Sequence, residues 1–223
     1  MVSTRKVPKV STVPALLTLL ALLLAGCGGG TAEAPVAGAA VNRQQADGDG
    51  FRGAGLTQPY RMPHLTLTDT SGSSFDLVQD TTKPVTLVFF GYTNCPDVCN
   101  MVLADIASAF TRLDPEVAQN VQMLFITTDP ARDKPAVIDE YLARFHPAFE
   151  GLTAPMGTIK EVARPLGVAI EGMNRLPSGG YEVGHSSQVI GFAADDTARV
   201  VWTQGTPVED LLVDIHTLVK LPR

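Results

Sequence analysis

The stretch VTLVFFGYTNCPDVC, residues 85–99, decides how this chain reads. Residues 85–90 are aliphatic, β-branched and aromatic, and Pro84 stands just before them. That is the composition of a central strand. A short turn then delivers Cys95 and Cys99 to the start of a helix. The apolar residues Val98, Val102, Ile106, Ala109, Phe110 and Leu113 recur there at helical spacing. Two thiols at the carboxyl end of a central strand can do redox chemistry or hold a soft metal.

Upstream of this unit, residues 64–68 and 74–78 alternate like strands around Asp69-Thr70-Ser71-Gly72, which predicts a hairpin. Downstream, residues 121–127 form a second apolar strand, and residues 135–145 and 158–166 are predicted helices. Val183, residues 188–193 and residues 199–202 read as strand. Thr206-Pro207-Val208-Glu209 has the pattern of a capping box with Pro at the first helical position. It opens a last helix with Leu211, Leu212, Ile215, Leu218 and Val219 on one face. The order is ββ, then βαβα, then α, then ββα. It predicts an α/β chain of thioredoxin-like fold, a central mixed sheet flanked by helices with an N-terminal hairpin.

The 223 residues allow one or two domains, and 45% hydrophobic content is enough for a core. The net charge of −6 and the lack of a Lys/Arg run in the body of the chain argue against nucleic-acid binding. Residues 1–26 read as an export signal: Arg5, Lys6 and Lys9 precede an apolar stretch at 13–24, too short to span a bilayer, which takes roughly 20 residues. Leu24-Ala25-Gly26-Cys27 matches a bacterial lipobox, so Cys27 is expected to carry lipid and anchor the protein on the extracytoplasmic side of the membrane. Removing residues 1–26 takes away three positive charges and no negative ones, so the mature chain stands at −9. Residues 27–58, rich in Gly, Ala and polar side chains, are expected to be the lipidated cysteine and a flexible tether, and residues 59–223 the folded domain.

With Cys27 taken by lipid, Cys95 and Cys99 are the remaining two of three cysteines, in an oxidising compartment. They are a disulfide, a redox pair or metal ligands. If both lie in the first helical turn, their Cβ atoms are about 5–6 Å apart, which suits chelation. A disulfide needs some adjustment, because bridged Cβ atoms sit about 3.8 Å apart. The helix N-terminus favours thiolate, which is both nucleophile and ligand, and Pro96 suits a helix start. A static staple is disfavoured, since closing so short a loop contributes little.

Four histidines offer a third ligand. His216 in the last helix, near Asp214, reads as surface. His146, before Pro147, reads as capping or surface, and His64 opens the first hairpin. His185 lies in Tyr181-Glu182-Val183-Gly184-His185-Ser186-Ser187, just before the strand at 188–193. In a thioredoxin-like fold that loop faces the thiols. Two Cys and one His select copper, zinc or iron–sulfur over hard cations. Structural zinc and iron–sulfur clusters want four ligands. A set of three suits a copper ion that must be handed on.

At these residues the chain resembles the Sco/SenC family of copper-binding assembly factors for cytochrome c oxidase. The likeness rests on FGYTNCPDVC (90–99), TDPARD (128–133), FEGLT (149–153) and Gly184-His185-Ser186, and covers roughly residues 60–221. It implies a thioredoxin-like domain that binds Cu(I) or Cu(II) through Cys95, Cys99 and His185. It also implies delivery of copper to, or thiol reduction at, the dinuclear copper site of oxidase subunit II, with other copper chaperones as partners and a lipid anchor near a membrane-bound client. Family members often have His and Pro where this chain has Asn94 and Asn100, and an acidic residue where it has Gly184. Loss of that acidic neighbour is expected to loosen the imidazole. Asp97 and Asp129 are candidate carboxylates supporting the ligands, although a turn or capping role suits Asp129 equally.

The residues therefore favour a copper chaperone. A thiol–disulfide oxidoreductase using Cys95 and Cys99, bridged when oxidised, is the alternative. Its usual spacing of two intervening residues differs from the three found here, and it has no need of His185. A peroxidase using Thr93 and Arg132 beside the thiols is a third reading.

Overall fold

A computed structural model describes residues 50–56, 58–177 and 179–222. The expected export signal, the lipobox with Cys27 and most of the expected tether lie outside the described residues. The elements run β1 (Ala54–Gly55), β2 (Thr66–Asp69), β3 (Ser74–Asp76), β4 (Val85–Gly91), α1 (Val98–Arg112), α2 (Pro115–Ala118) and β5 (Val121–Thr127). They continue with α3 (Pro135–Ala143), β6 (Phe149–Thr153), α4 (Met156–Ala163), β7 (Ile170–Arg175), β8 (Tyr181–His185), β9 (Val189–Phe192), β10 (Ala198–Trp202) and α5 (Val208–Val219).

Eight strands form one sheet in the order β1-β10-β9-β4-β5-β6-β2-β3, and β7 and β8 form a separate two-stranded hairpin. β4 and β5 pair in parallel along their whole length, from Val85 opposite Val121 to Gly91 opposite Thr127. β9 runs antiparallel to β4 and pairs with β10. The β4–α1–β5 crossover closed by β9–β10–α5 is the thioredoxin-like arrangement expected from the sequence. Every residue of β4 and β5 is buried, because helices or loops cover both faces. Leu87, Phe89, Met123 and Phe125 point toward α1 and α5, and Val88, Phe90, Leu124 and Ile126 toward the opposite core with α4. Each such side chain contributes about 1.5–3 kcal/mol by burial, which fixes the end of β4 where the thiol turn begins.

The structure departs from the sequence reading in several places. The fold starts before Pro59: Phe51 is buried, and Ala54 and Gly55 pair with Val201 and Val200 of β10. Two residues in a Gly/Ala-rich stretch carry no period, so only tertiary pairing makes them a strand. The buried carboxylate of Asp214 completes this attachment. It accepts hydrogen bonds from Arg52 N (2.6 Å), Gly53 N (2.8 Å) and Trp202 Nε1 (2.7 Å). Asp214 is thus a core anchor and not a surface neighbour of His216. The segment Phe149–Thr153 is a strand parallel to β5, although Glu150 and Gly151 interrupt its apolar run. The predicted capping box does not form. The Thr206 hydroxyl donates to Thr203 O at 2.8 Å, Glu209 pairs with Arg112, and Pro207 stands at the cap rather than inside the helix.

Asp214→Ala would leave three inward donors unpaired, at about 1–3 kcal/mol for each buried group. We expect a loss of about 3 kcal/mol and a fall in Tm of about 6–12 °C for a domain of this size, read by circular dichroism. An unchanged Tm contradicts the anchoring role.

Candidate metal centre

The polypeptide leaves β4 at Gly91, where a Cβ would lie 2.8 Å from the Phe125 ring and 3.3 Å from Cys99 Sγ. A side chain there would clash with the Phe125 ring and press on the thiol. The next residues are tied down by Asp133, which is fully buried. Its carboxylate accepts from Thr93 N at 3.0 Å and from the Thr93 and Thr127 hydroxyls at 2.6 Å each. Thr93 is therefore engaged in holding the loop, not free to activate peroxide.

Cys95 precedes α1 instead of lying in its first turn, and Cys99 is the second helical residue. Pro96 accordingly sits in the turn, two residues before the helix. Both cysteines are buried and unbridged. The Cys99 N–H donates to Cys95 Sγ at 3.4 Å. The Cys95 thiol is held far below the usual range. The Cys99 thiol hydrogen-bonds it, with further help from the backbone amides of Cys99 and Asp97, against the opposing effect of burial. The same contact with Cys95, together with burial, pushes Cys99 up. The pair thus holds one thiolate and one thiol sharing a proton. Asn100, on the first turn of α1, donates from Nδ2 to Cys95 O at 3.3 Å and accepts from the Tyr141 hydroxyl at 3.0 Å.

His185 closes β8, and its Nε2 lies 3.7 Å from Cys99 Sγ. Its Nδ1 is 2.8 Å from Ser186 O. A carbonyl only accepts, so Nδ1 carries hydrogen, and in the neutral ring Nε2 presents its lone pair to the sulfurs. The Tyr92 ring meets the imidazole edge-on, centroids 5.7 Å apart, and burial raises the Tyr92 hydroxyl to about 12. These contacts orient the ring that an acidic residue at position 184 was expected to orient. A Cβ at position 184 would come within 2.9 Å of the exposed Glu171 carboxylate on β7, which would have to turn aside.

A single ion about 2.0–2.3 Å from an imidazole nitrogen and a thiolate, at a tetrahedral or trigonal angle, sets those donors about 3.6–3.8 Å apart. The observed 3.7 Å fits. The structure thus brings His185 to Cys99 and Cys99 to Cys95, while no group of three or more such side chains among the described residues stands already closed around an ion position. The Asp97 carboxylate is exposed and makes no capping bond; its backbone amide, not its side chain, reaches Cys95. Asp129, buried, accepts from the Arg132 guanidinium and from the Tyr181 hydroxyl (3.0 Å), so it reaches the ligands only through neighbours. His146 packs against Phe110 at 5.2 Å, its Nδ1 accepts from Ala148 N at 3.2 Å, and burial lowers its pKa. His64 is exposed and His216 half-buried.

Tyr92, Asp133 and Tyr181 went unnoticed in the sequence. The DPARD segment was the available signal for Asp133, since two acids four residues apart after a buried strand can point back at its end.

A family model described as SCO1/SenC matches residues 56–220. Protein SCO1, mitochondrial, of Saccharomyces cerevisiae is 39% identical over 101 residues, 45% of this chain and 34% of that relative, so the match spans about a third of its length. The structure of Bradyrhizobium japonicum ScoI with copper bound superposes with a TM-score of 0.62 at 28% identity, over 72% of this chain and 98% of the other. Apo Sco1 from Thermus thermophilus gives a TM-score of 0.66 at 30% identity, over 75% of this chain and 96% of the other. With the family model covering most of its length, this chain belongs to the SCO1/SenC family.

Proposed function

We propose that this protein is a membrane-anchored copper chaperone. Copper, its cargo, is held by the Cys95 and Cys99 thiolates and by His185 Nε2. It is received from other copper chaperones and passed to the dinuclear copper site of cytochrome c oxidase subunit II or a similar copper-requiring client. Lipid on Cys27 keeps the domain at the extracytoplasmic face of the membrane; no helix among the described residues is long and apolar enough to cross one. The main support is the 3.7 Å approach of Nε2 to Cys99 Sγ, from a residue 86 positions away in sequence. Copper in the similar Bradyrhizobium protein supports the choice of ion, and participation of Sco-family proteins in oxidase assembly supports the class of client.

The residues divide the work. Cys95 meets the incoming ion already as thiolate. Cys99 gives up its proton on loading, so uptake releases hydrogen ion. The Ser186 carbonyl holds the imidazole in the tautomer that presents Nε2. Oxidation of the two thiolates to a Cys95–Cys99 disulfide passes two electrons to an external disulfide oxidant and removes two of three ligands, which gives a route to release. A dithiol reductase would use the same sulfurs but has no role for the aligned imidazole.

Anaerobic reduction and titration with copper should load one equivalent and, for Cu(II), give an intense sulfur-to-metal charge-transfer band. His185→Ala should weaken binding by at least about 100-fold, the upper end for groups that merely support ligands. Unchanged affinity in that variant rules out the three-ligand site.

The depressed Cys95 thiol has a consequence for pH. An unfolded thiol titrates near about 8.5. The thiolate therefore stabilises the reduced, metal-free protein fully above that value, and the contribution fades as pH falls toward the lower folded-state value. Thiolate absorbance near the far ultraviolet should persist at pH 6 for one sulfur and vanish in Cys95→Ala. Full loss of that absorbance by pH 7 in the parent contradicts the assignment.

A further inference from the structure

We propose that Arg132 is a positioning residue for His185: its guanidinium, set between Tyr181 and Tyr92, locks the hairpin that carries the imidazole onto the loop that carries the thiols. The inference rests on the three-ligand copper site proposed above and adds a residue that touches none of the ligands.

The hairpin needs such a lock. β8 pairs with β7 and with no strand of the eight-stranded sheet, and most of β7 is exposed. Strand pairing therefore does not fix His185 relative to the sulfurs; midway along β8 the buried Val183 packs with the cysteines and its backbone hydrogen-bonds the Tyr92 hydroxyl. At the His185 end, Ser186 N donates to Ala169 O at 3.0 Å, and Ala169 N donates to Ser186 Oγ at 3.0 Å. At the other end stands Tyr181, and Arg132 and its partner Asp129 hold it three ways. The guanidinium lies over the Tyr181 ring, 3.6 Å from its centroid. Arg132 Nη1 donates to Tyr181 O at 3.2 Å. The Tyr181 hydroxyl donates to Asp129 Oδ1 at 3.0 Å, while the other oxygen of that buried carboxylate accepts from Arg132 Nε.

The same cation faces the thiol side. Its carbon lies 5.7 Å from the centroid of the Tyr92 ring. That ring meets the His185 imidazole edge-on, and the Tyr92 carbonyl accepts from Cys95 N at 3.2 Å. One planar group thus bridges the two segments that bear the ligands. Both jobs require a flat cation with a fork of donors, a shape Lys lacks. The effect on binding is conformational. Apparent affinity falls in proportion to the fraction of molecules whose third ligand is in place, and the lock keeps that fraction high.

The test uses the full chain, reduced anaerobically, with Cu(I) affinity measured by competition against a chelator and the unfolding temperature followed in parallel. Arg132→Gln should weaken binding by roughly 10–100-fold, the range typical of groups that orient metal ligands. Placed in a His185→Ala background, it should change affinity by less than about 2-fold, because the residue it positions is gone. Tyr181→Phe keeps the stack, loses the hydroxyl on Asp129 and should weaken binding in the same direction by less. It carries the test if Arg132→Gln does not fold. Wild-type affinity in both Arg132→Gln and Tyr181→Phe overturns the proposal. So does an Arg132→Gln effect that persists undiminished without His185, which would mark a general change in charge or fold. Unchanged affinity in His185→Ala alone overturns the three-ligand site itself, a different failure.

Discussion

The buried Asp133 carboxylate is the contact on which the metal end of the molecule depends. It accepts from Thr93, two residues past the end of β4, and from Thr127, the last residue of β5. The two parallel strands end side by side, and this one side chain staples the loop that follows the first to the end of the second. With Thr93 pinned, the turn to Cys95 has little freedom, and α1 starts with Cys99 packed beneath it. Substituting Asp133 would leave an amide and two hydroxyls competing for water in a site closed to it.

The thiols and the imidazole meet because elements far apart in sequence converge on that end of the sheet. The turn after β4 sets the cysteines at the end of the core, and β9 returns antiparallel beside β4 just after His185. This juxtaposition also explains the unequal thiols. The buried pair cannot carry two negative charges at low cost, so one proton is shared between them, and the hydrogen bonds push Cys95 down and Cys99 up. A positive ion bound there would replace that proton and balance both sulfurs. The site is therefore suited to a soft cation before one arrives.

Much of this was legible in the sequence, for reasons that differ by residue. β4 and β5 announced themselves because strands buried on both faces must be apolar throughout. The cysteines were conspicuous as the two thiols left after the expected lipobox. His185 was found by topology, as the residue ahead of the strand that returns beside β4. Position cannot reveal contacts made by side chains alone, so Tyr92 and Tyr181 were invisible. Arg132, considered for peroxide chemistry, pairs with Asp129 and stacks on Tyr181 instead. β1 escaped notice because two residues show no period, and the Thr206 box because its pattern describes a local option that the Thr203 carbonyl outcompetes. Gly184 looked like a lost acidic partner; in space it lies beside the exposed Glu171 side chain on the adjacent strand.

X-ray absorption at the copper edge of the loaded protein is the most direct test of a centre built from two sulfurs and one ring. The expected spectrum contains two sulfur scatterers and one nitrogen with the multiple-scattering pattern of an imidazole. A shell of sulfur alone, or of nitrogen and oxygen without sulfur, contradicts it.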